Sequence, residues 1–296
     1  MIDKLEFLMA VARERSFSRA AESCGVTQPT LSSGIKHLED VLGVMLVNRS
    51  SRFHGLTAEG ERVLEWARRI VSDARSMRQD VQSAKTSLTG ELRLAGIPTA
   101  LGMTPQLTIP FRAKHPGVRF TILSRTSRQI LTMLEELQID AGLTYLDNEP
   151  LGNARTVPLY HEQYRLLTSP ECPLGDRASV TWAEAATIPL CLLTLDMQNR
   201  RIIDRLLAKH GPPPPQPMLE SDSMVVLVAH VKTGQWASIM PAAFANVLGV
   251  PEPLRSIPIL EPQEVHKIGL VLPSREPMSP LVRALLAEAN KLALPV

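Results

Sequence analysis

Cysteine is scarce in this chain. The three residues, Cys24, Cys172 and Cys191, are far apart, odd in number and in no metal-ligand spacing. That pattern excludes a disulfide framework and a cysteine-held metal centre, and reads as reduced, buried thiols with nothing to support a Cys172–Cys191 redox pair. No apolar run reaches the roughly 18 residues a membrane-crossing helix needs, so no membrane partner is expected. The opening stretch MIDKLEFLMAVARERS carries an acid at Asp3 and no apolar core before a small-residue cleavage site. It does not read as an export signal, and a cytoplasmic location is expected. Charge of one sign is also missing: the net charge of +2 points to neither nucleic acid nor membrane, so any electrostatic footprint must be local. There is no nucleophile elbow, no glycine-rich phosphate loop and no metal spacing, and His37, His54, His115, His161, His210, His230 and His266 are scattered. The expectation is no enzyme, no metal and no cofactor.

What is present is periodicity. The length of 296 residues suggests about two domains. Leu5, Leu8, Val11 and Ala12 recur at helical spacing. SFSRAAESCG reads as a second short helix with Ser16 as N-cap and Gly25 past its end. VTQPTLSSGIKHLEDVLG reads as a third, capped by Thr27, with Pro29 in its first turn and Gly43 as its stop. Short helices joined by a tight glycine turn are the shape of a helix-turn-helix. MLVNRSSRFHGLT follows as a two-stranded wing carrying Arg49, Arg52 and His54.

Thr57 then caps a long helix from Ala58 to about Thr86. Val63, Ile70, Met77 and Ala84 recur every seven residues, with Ala67, Ala74, Val81 and Leu88 interleaved, as in a dimerisation seam. Packing of this helix on its own domain is the other reading. Near Gly90 the pattern changes. ELRLAGI, a helix ending at His115, VRFTILS, the helix RQILTMLEELQ and DAGLTYL alternate strand and helix, which implies a parallel sheet. Later strands are QYRLLTS, IPLCLLT, WASIMP and VHKIGLVLP. Later helices start at Asp196, expected as an N-cap, near Ser221–Ser223, and at SPLVRALLAEANKLA. Pro212–Pro215 reads as a stiff connector.

The stretch Ser16–Gly60 closely resembles the N-terminal domain of LysR-type transcriptional regulators. The features carrying it are Ala20-Ala21, Val26, Gln28-Pro29, Ser32, Ile35, Leu38-Glu39, Leu42-Gly43, Leu46, Arg49, Leu56-Thr57 and Gly60. FRAKHPGV and LEELQIDAGL fit the family's later layout. The resemblance implies a winged helix-turn-helix, helix-rich, joined to an α/β two-lobed effector domain similar to periplasmic binding proteins. Residues 1–59 would be the DNA-binding domain and 60–89 the linker and dimerisation helix. Residues 90–296 would be the effector domain, with lobe one at 90–160 and 267–296 and lobe two at 161–266.

The same resemblance implies DNA-binding residues: Phe17, Ser18, Thr27, Gln28, Pro29, Thr30, Ser32, Ser33, Lys36, Arg49 and Arg52. Gln28 has the amide geometry to pair with adenine and Thr30 a methyl to meet thymine. Ser33-Gly34 stands where the family carries long side chains, so a trimmed reading edge is expected. Arg49 reads equally well as a residue bonding within the fold. The implied effector residues are Thr99, Ala100, Ser127, Tyr145, Met197, Gln198 and Trp236. Thr99, Ala100 and Ser127 would favour an anion at helix N-termini. Plainer readings make Thr99 and Ser127 caps, and Met197 and Trp236 packing residues. The implied partners are a double-stranded DNA operator, a small-molecule effector, a second copy through residues 60–88, a homotetramer and RNA polymerase. An α/β enzyme, or a solute-binding protein with an accessory helical domain, is the alternative.

Overall fold

The computed structural model describes residues 1–49, 53–83, 88–211, 216–274 and 276–293, without the side chains of Arg49, Phe53, Gln79, Gln82, Ser83 and Leu248. Arg52, Ala84, Thr86 and Pro212–Pro215 lie outside the described residues, as does the Arg49 side chain. The chain divides into two compact units, Met1–Thr86 with Pro277–Pro280, and Ser87–Glu276 with Leu281–Val296.

The first unit begins with α1 (Ile2–Glu14), α2 (Phe17–Ser23) and α3 (Gln28–Leu42). Ser16 and Thr27 cap the second and third through their side chains. Gly43 ends α3 at φ 70°, in the left-handed region that glycine enters without a Cβ penalty. Leu31, Ile35 and Leu38 are buried against Leu5, Leu8 and Val11 of α1. Burying each such side chain is worth roughly 1.5–3 kcal/mol, so this face decides the packing. The wing is an antiparallel pair, β1 (Val47–Arg49) and β2 (Phe53–Leu56). Glu39 Oε1 accepts from Leu46 N at 2.9 Å and from Val47 N at 3.2 Å, which ties the wing to α3 from a buried position.

The long helix α4 (Ala58–Ser83) starts at Thr57, whose Oγ1 accepts from Gly60 N at 2.9 Å. Its apolar residues divide between two faces. Leu64, Ala67, Val71 and Ala74 are buried, Ala67 and Val71 in the same core as α1. Trp66, Ile70, Met77 and Val81 are exposed. Of the expected seam residues, Ala67 packs in the helical core, whereas Ile70 and Met77 of one set and Val81 of the other are exposed.

The second unit holds two sheets. In the first, β3 (Thr89–Gly96) runs parallel to β4 (Gly117–Ser124) and to β5 (Ala141–Tyr145). The 3-10 turn η1 (Leu101–Met103) and α5 (Thr104–Lys114) connect β3 to β4, and α6 (Ser127–Glu135) connects β4 to β5. β6 (Ala154–Glu162) is the edge strand, where Pro158 is tolerated. β13 (His266–Pro273) lies between β5 and β6, antiparallel to both, and α11 (Pro280–Leu292) follows it.

The second sheet is built from β7 (Tyr164–Thr168), β8 (Val180–Thr181), β11 (Ser238–Pro241) and β12 (Arg255–Leu260), in the order β11-β7-β12-β8. The short parallel pair β9 (Cys191–Leu193) and β10 (Leu219–Ser221) adjoins it through Cys191 N bonding to Ala237 O at 2.9 Å. Around these stand α7 (Trp182–Ala185), α8 (Gln198–His210), α9 (Met224–Val231) and α10 (Ala242–Leu248). The N-cap of α8 is Met197, not Asp196, and it makes no side-chain capping bond. The chain crosses between the sheets at Glu162–Tyr164 and again between Leu260 and His266.

Candidate functional site

Two places gather polar side chains beyond what packing requires. The first is the start of α3. Thr27 Oγ1 accepts from Thr30 N at 3.4 Å and lies 2.9 Å from Thr30 Oγ1. Thr27, Gln28, Pro29, Thr30, Ser33 and Lys36 are exposed, and Ser32 is half-buried. Exposed Ser18 of α2 donates to Gln28 Oε1 at 3.3 Å, leaving the Gln28 amide nitrogen as a donor. A helix start that satisfies its own cap and still presents an amide, hydroxyls and a lysine outward is a hydrogen-bonding surface.

Two expectations for this surface change. Phe17 is half-buried and packs against the helical core, so the fold itself uses the ring. Gly34 does not belong to a trimmed reading edge: a Cβ there would meet Phe7 Cδ2 at 2.7 Å, so its bareness makes room for α1.

The second place is the carboxyl end of β5, where two helix starts converge. From one side comes α6, with a reciprocal capping box between Thr126 and Gln129. The cap is Thr126, and Ser127 is the first helical residue. Thr144 Oγ1 of β5 donates to Ser127 Oγ at 3.0 Å. From the other side comes α8, where Asn199 Nδ2 donates to the Tyr145 hydroxyl at 3.1 Å and Gln198 Nε2 to Asp147 O at 3.0 Å. Further along α8, Arg201 pairs with Glu149 at 2.5 Å and Arg205 Nη1 reaches Asn148 Oδ1 at 3.3 Å. The starts of α6 and α8, and with them the positive ends of two helix dipoles, thus meet around residues 144–147. Beyond the end of β3, Thr99 is buried and its Oγ1 has no hydrogen-bond partner among the described residues. Ala100, fully buried, caps η1.

Behind this lies a buried polar cluster. Glu162 accepts from the Tyr145 hydroxyl, which lies 3.2 Å from the Tyr164 hydroxyl. His266 is the cross-strand partner of Glu162 and sits 3.0 Å from the Asn148 amide through Nδ1. Glu162 Oε2, His266 Nε2 and the Tyr160 hydroxyl are buried without a partner among the described residues. Burial pushes the Glu162 carboxyl up to about 8, against the pull of the Tyr145 and Tyr164 hydroxyls. The shift favours the neutral acid, which repels a nearby anion less than a carboxylate would. Burial also raises the hydroxyls of Tyr145 and Tyr164 well above the usual tyrosine value.

Of the expected effector residues, Thr99, Ala100, Ser127, Tyr145 and Gln198 are on these two sides. Tyr145 is fully buried and spends its hydroxyl on Glu162 and Asn199, so it braces the site without lining it. Met197 is buried in the core of the second sheet, and Trp236 packs on that core, stacked on His230 with ring centroids 5.1 Å apart. Both pack on the core of the second sheet, as the plainer reading of these two residues had it. Sequence reading missed Glu162, Tyr164, Asn199 and His266. One signal was available: Tyr160, Glu162 and Tyr164 alternate, which puts polar groups on one face of an extended segment.

Residues 2–61 match the family model of the bacterial regulatory helix-turn-helix proteins of the lysR family, and residues 85–293 match the LysR substrate binding domain. A hydrogen peroxide-inducible genes activator of Pectobacterium carotovorum subsp. carotovorum is 31% identical over 193 residues, 65% of this chain and 64% of that protein. The match thus spans just under two thirds of that relative's length. Among solved structures, a cysteine-to-aspartate variant of full-length OxyR from Pseudomonas aeruginosa superposes with a TM-score of 0.74 at 25% identity, over 99% of this chain and 94% of that one. Full-length CbnR complexed with its target DNA shares the fold, with a TM-score of 0.66 at 21% identity over 99% of this chain and all of that one.

Proposed function

The chain belongs to the LysR family of bacterial regulators, and from that premise we propose that it binds double-stranded DNA as a transcriptional regulator and answers to a small anionic effector held between the two sheets of its second unit. The observation that carries the DNA reading is the start of α3, exposed, capped and polar. Seated in a major groove, its first turn brings Gln28 and Thr30 to base edges, while Ser18, Ser32, Ser33 and Lys36 meet phosphates or nearby edges. Acidic and basic side chains are balanced over Met1–Glu59, so one copy binds weakly and several copies together recover affinity. The bare Trp66, Ile70, Met77 and Val81 face of α4 is where a second copy packs; two such dimers make the tetramer. RNA polymerase is the further partner we infer for such a regulator, in the cytoplasm.

The effector reading rests on the two helix starts that meet at β5 and on the orphan Thr99 hydroxyl. An anion there bonds to Thr99 and Ser127 from one side and to the first turn of α8 from the other. It shifts the lobe angle only by the difference in its affinity for the two states. An oxidant is the less favoured signal. Cys191 is fully buried, and burial pushes its thiol up to about 11, far from the thiolate that redox chemistry needs; Cys172 is buried as well.

The test is a salt titration of binding to the DNA upstream of the chain's own gene, read by fluorescence anisotropy, with wild type and Gln28→Ala. Affinity should fall steeply with salt. Gln28→Ala should weaken specific binding by roughly 1–3 kcal/mol. Salt-independent binding, or a variant that protects the same sequence equally well, defeats the DNA reading.

A further inference from the structure

The second sheet carries a cavity that the cleft does not account for. It measures about 380 Å³ and is bounded by β7, α9, β11, α10 and β12, wholly on the side of the second sheet. Volumes of roughly 300–1,000 Å³ are typical of small-molecule sites. Its walls are apolar: Leu167, Val228, Met240, Phe244 and Val250 also belong to, or pack against, that sheet's core. An occupant would therefore extend a core that already exists.

Its polar groups are few and of one sign. Arg165 spends Nε and one terminal nitrogen on Ser256, bonding Oγ at 2.7 Å and the carbonyl at 2.6 Å. That holds the guanidinium fixed at the wall, with the other terminal nitrogen not bonded to a described residue. Lys232 is exposed at the lining and makes no ion pair with a described residue. No acidic side chain lines the cavity among the described residues. A fixed guanidinium, a mobile ammonium and an apolar bowl fit one chemistry.

We infer that this cavity is a second small-molecule site, for a carboxylate carried on a compact ring, separate from the cleft between the sheets. The ring fills the bowl against Phe244 and Met240, and the carboxylate bonds to Arg165 and Lys232. The site also has a route to the cleft. Its wall α10 packs against η1, where a Cβ at Gly102 would lie 3.4 Å from Val247, and η1 directly follows Thr99 and Ala100. An occupant that shifts α10 alters the Thr99 side of the cleft, and by linkage each ligand alters the other's affinity equally.

The test uses the full-length protein and isothermal titration with phenylacetate and its neutral analogue phenylacetamide. Phenylacetate should bind saturably and the amide about tenfold more weakly or not at all. Lys232→Met, a surface change that spares folding, should remove that preference. Ala229→Trp, which fills the bowl, should abolish binding, with thermal melting confirming the fold. Thr99→Val in the cleft should leave phenylacetate binding intact, which separates this site from the effector reading above. Loss of binding in Thr99→Val together with retention in Ala229→Trp and Lys232→Met moves the acid to the cleft and overturns the proposal. So does equal binding of acid and amide. Absence of saturable binding, with a change in sedimentation mass in Ala229→Trp, makes the bowl an interface between copies and overturns it too.

Discussion

The starts of α3 and α8 use similar residues for opposite ends. Thr27, Gln28 and Thr30 are exposed, and beyond the cap and Ser18 their side chains bond to no described residue. Gln198, Asn199 and Arg200 are buried, and each side chain is committed: to Asp147 O, to the Tyr145 hydroxyl, and to Asp204, Glu220 and Leu193 O. An amide at a helix start is not in itself a binding group. It becomes one where the fold has already met its cap by other means and leaves it in water. Where the fold buries it, it becomes a fastener between layers.

The comparison breaks most easily at Glu162, which anchors the α8 side. Its carboxyl is held near 8, against about 4.5 in the unfolded chain, because burial penalises its charge. The folded state then keeps its proton where the unfolded state has lost it. The stability that Glu162 contributes should be fully present below about pH 4.5 and be lost as pH rises towards 8. Thermal melts across that range should show the slope, and Glu162→Gln should flatten it. A wild-type curve that rises from pH 5 to 8 contradicts the account.

Glu39 gives the next largest effect, at the other end of α3. Glu39→Ala strands two backbone N–H groups at the root of the wing and should cost about 2–4 kcal/mol, read by chemical denaturation of the helical unit. A smaller loss is expected for Asn199→Ala, about 1–2 kcal/mol, because one buried bond to Tyr145 goes. The smallest belongs to Gln28→Ala, whose stability should stay within about 0.5 kcal/mol of wild type. If Asn199→Ala proves neutral and Gln28→Ala costly to stability, the two helix starts have been read the wrong way round.

The helical unit was the more legible half because its signals are short-range. A cap three residues from its acceptor, a proline in the first turn and a glycine at the last are local facts, and Thr27, Pro29 and Gly43 are found in those roles. Which face of α4 meets its own core was not legible. Period alone marks Ala67 and Ile70 alike, and only tertiary packing separates them. In the α/β unit the parallel strands were readable, but β6, with Pro158 inside it, was not: an edge strand tolerates a residue that a central strand forbids. The cluster of Tyr145, Glu162, Tyr164, Asn199 and His266 joins four separate stretches of chain. Nothing in any one stretch announces the others, apart from the alternation at residues 160–164.

Gly34 lies where a methyl group would enter the ring of Phe7, so the two positions share one volume. A substitution at one is therefore coupled to the other. A side chain added at position 34 requires the ring at position 7 to shift or to be replaced by a smaller group. What α3 can carry at position 34 is thus set by a ring on α1.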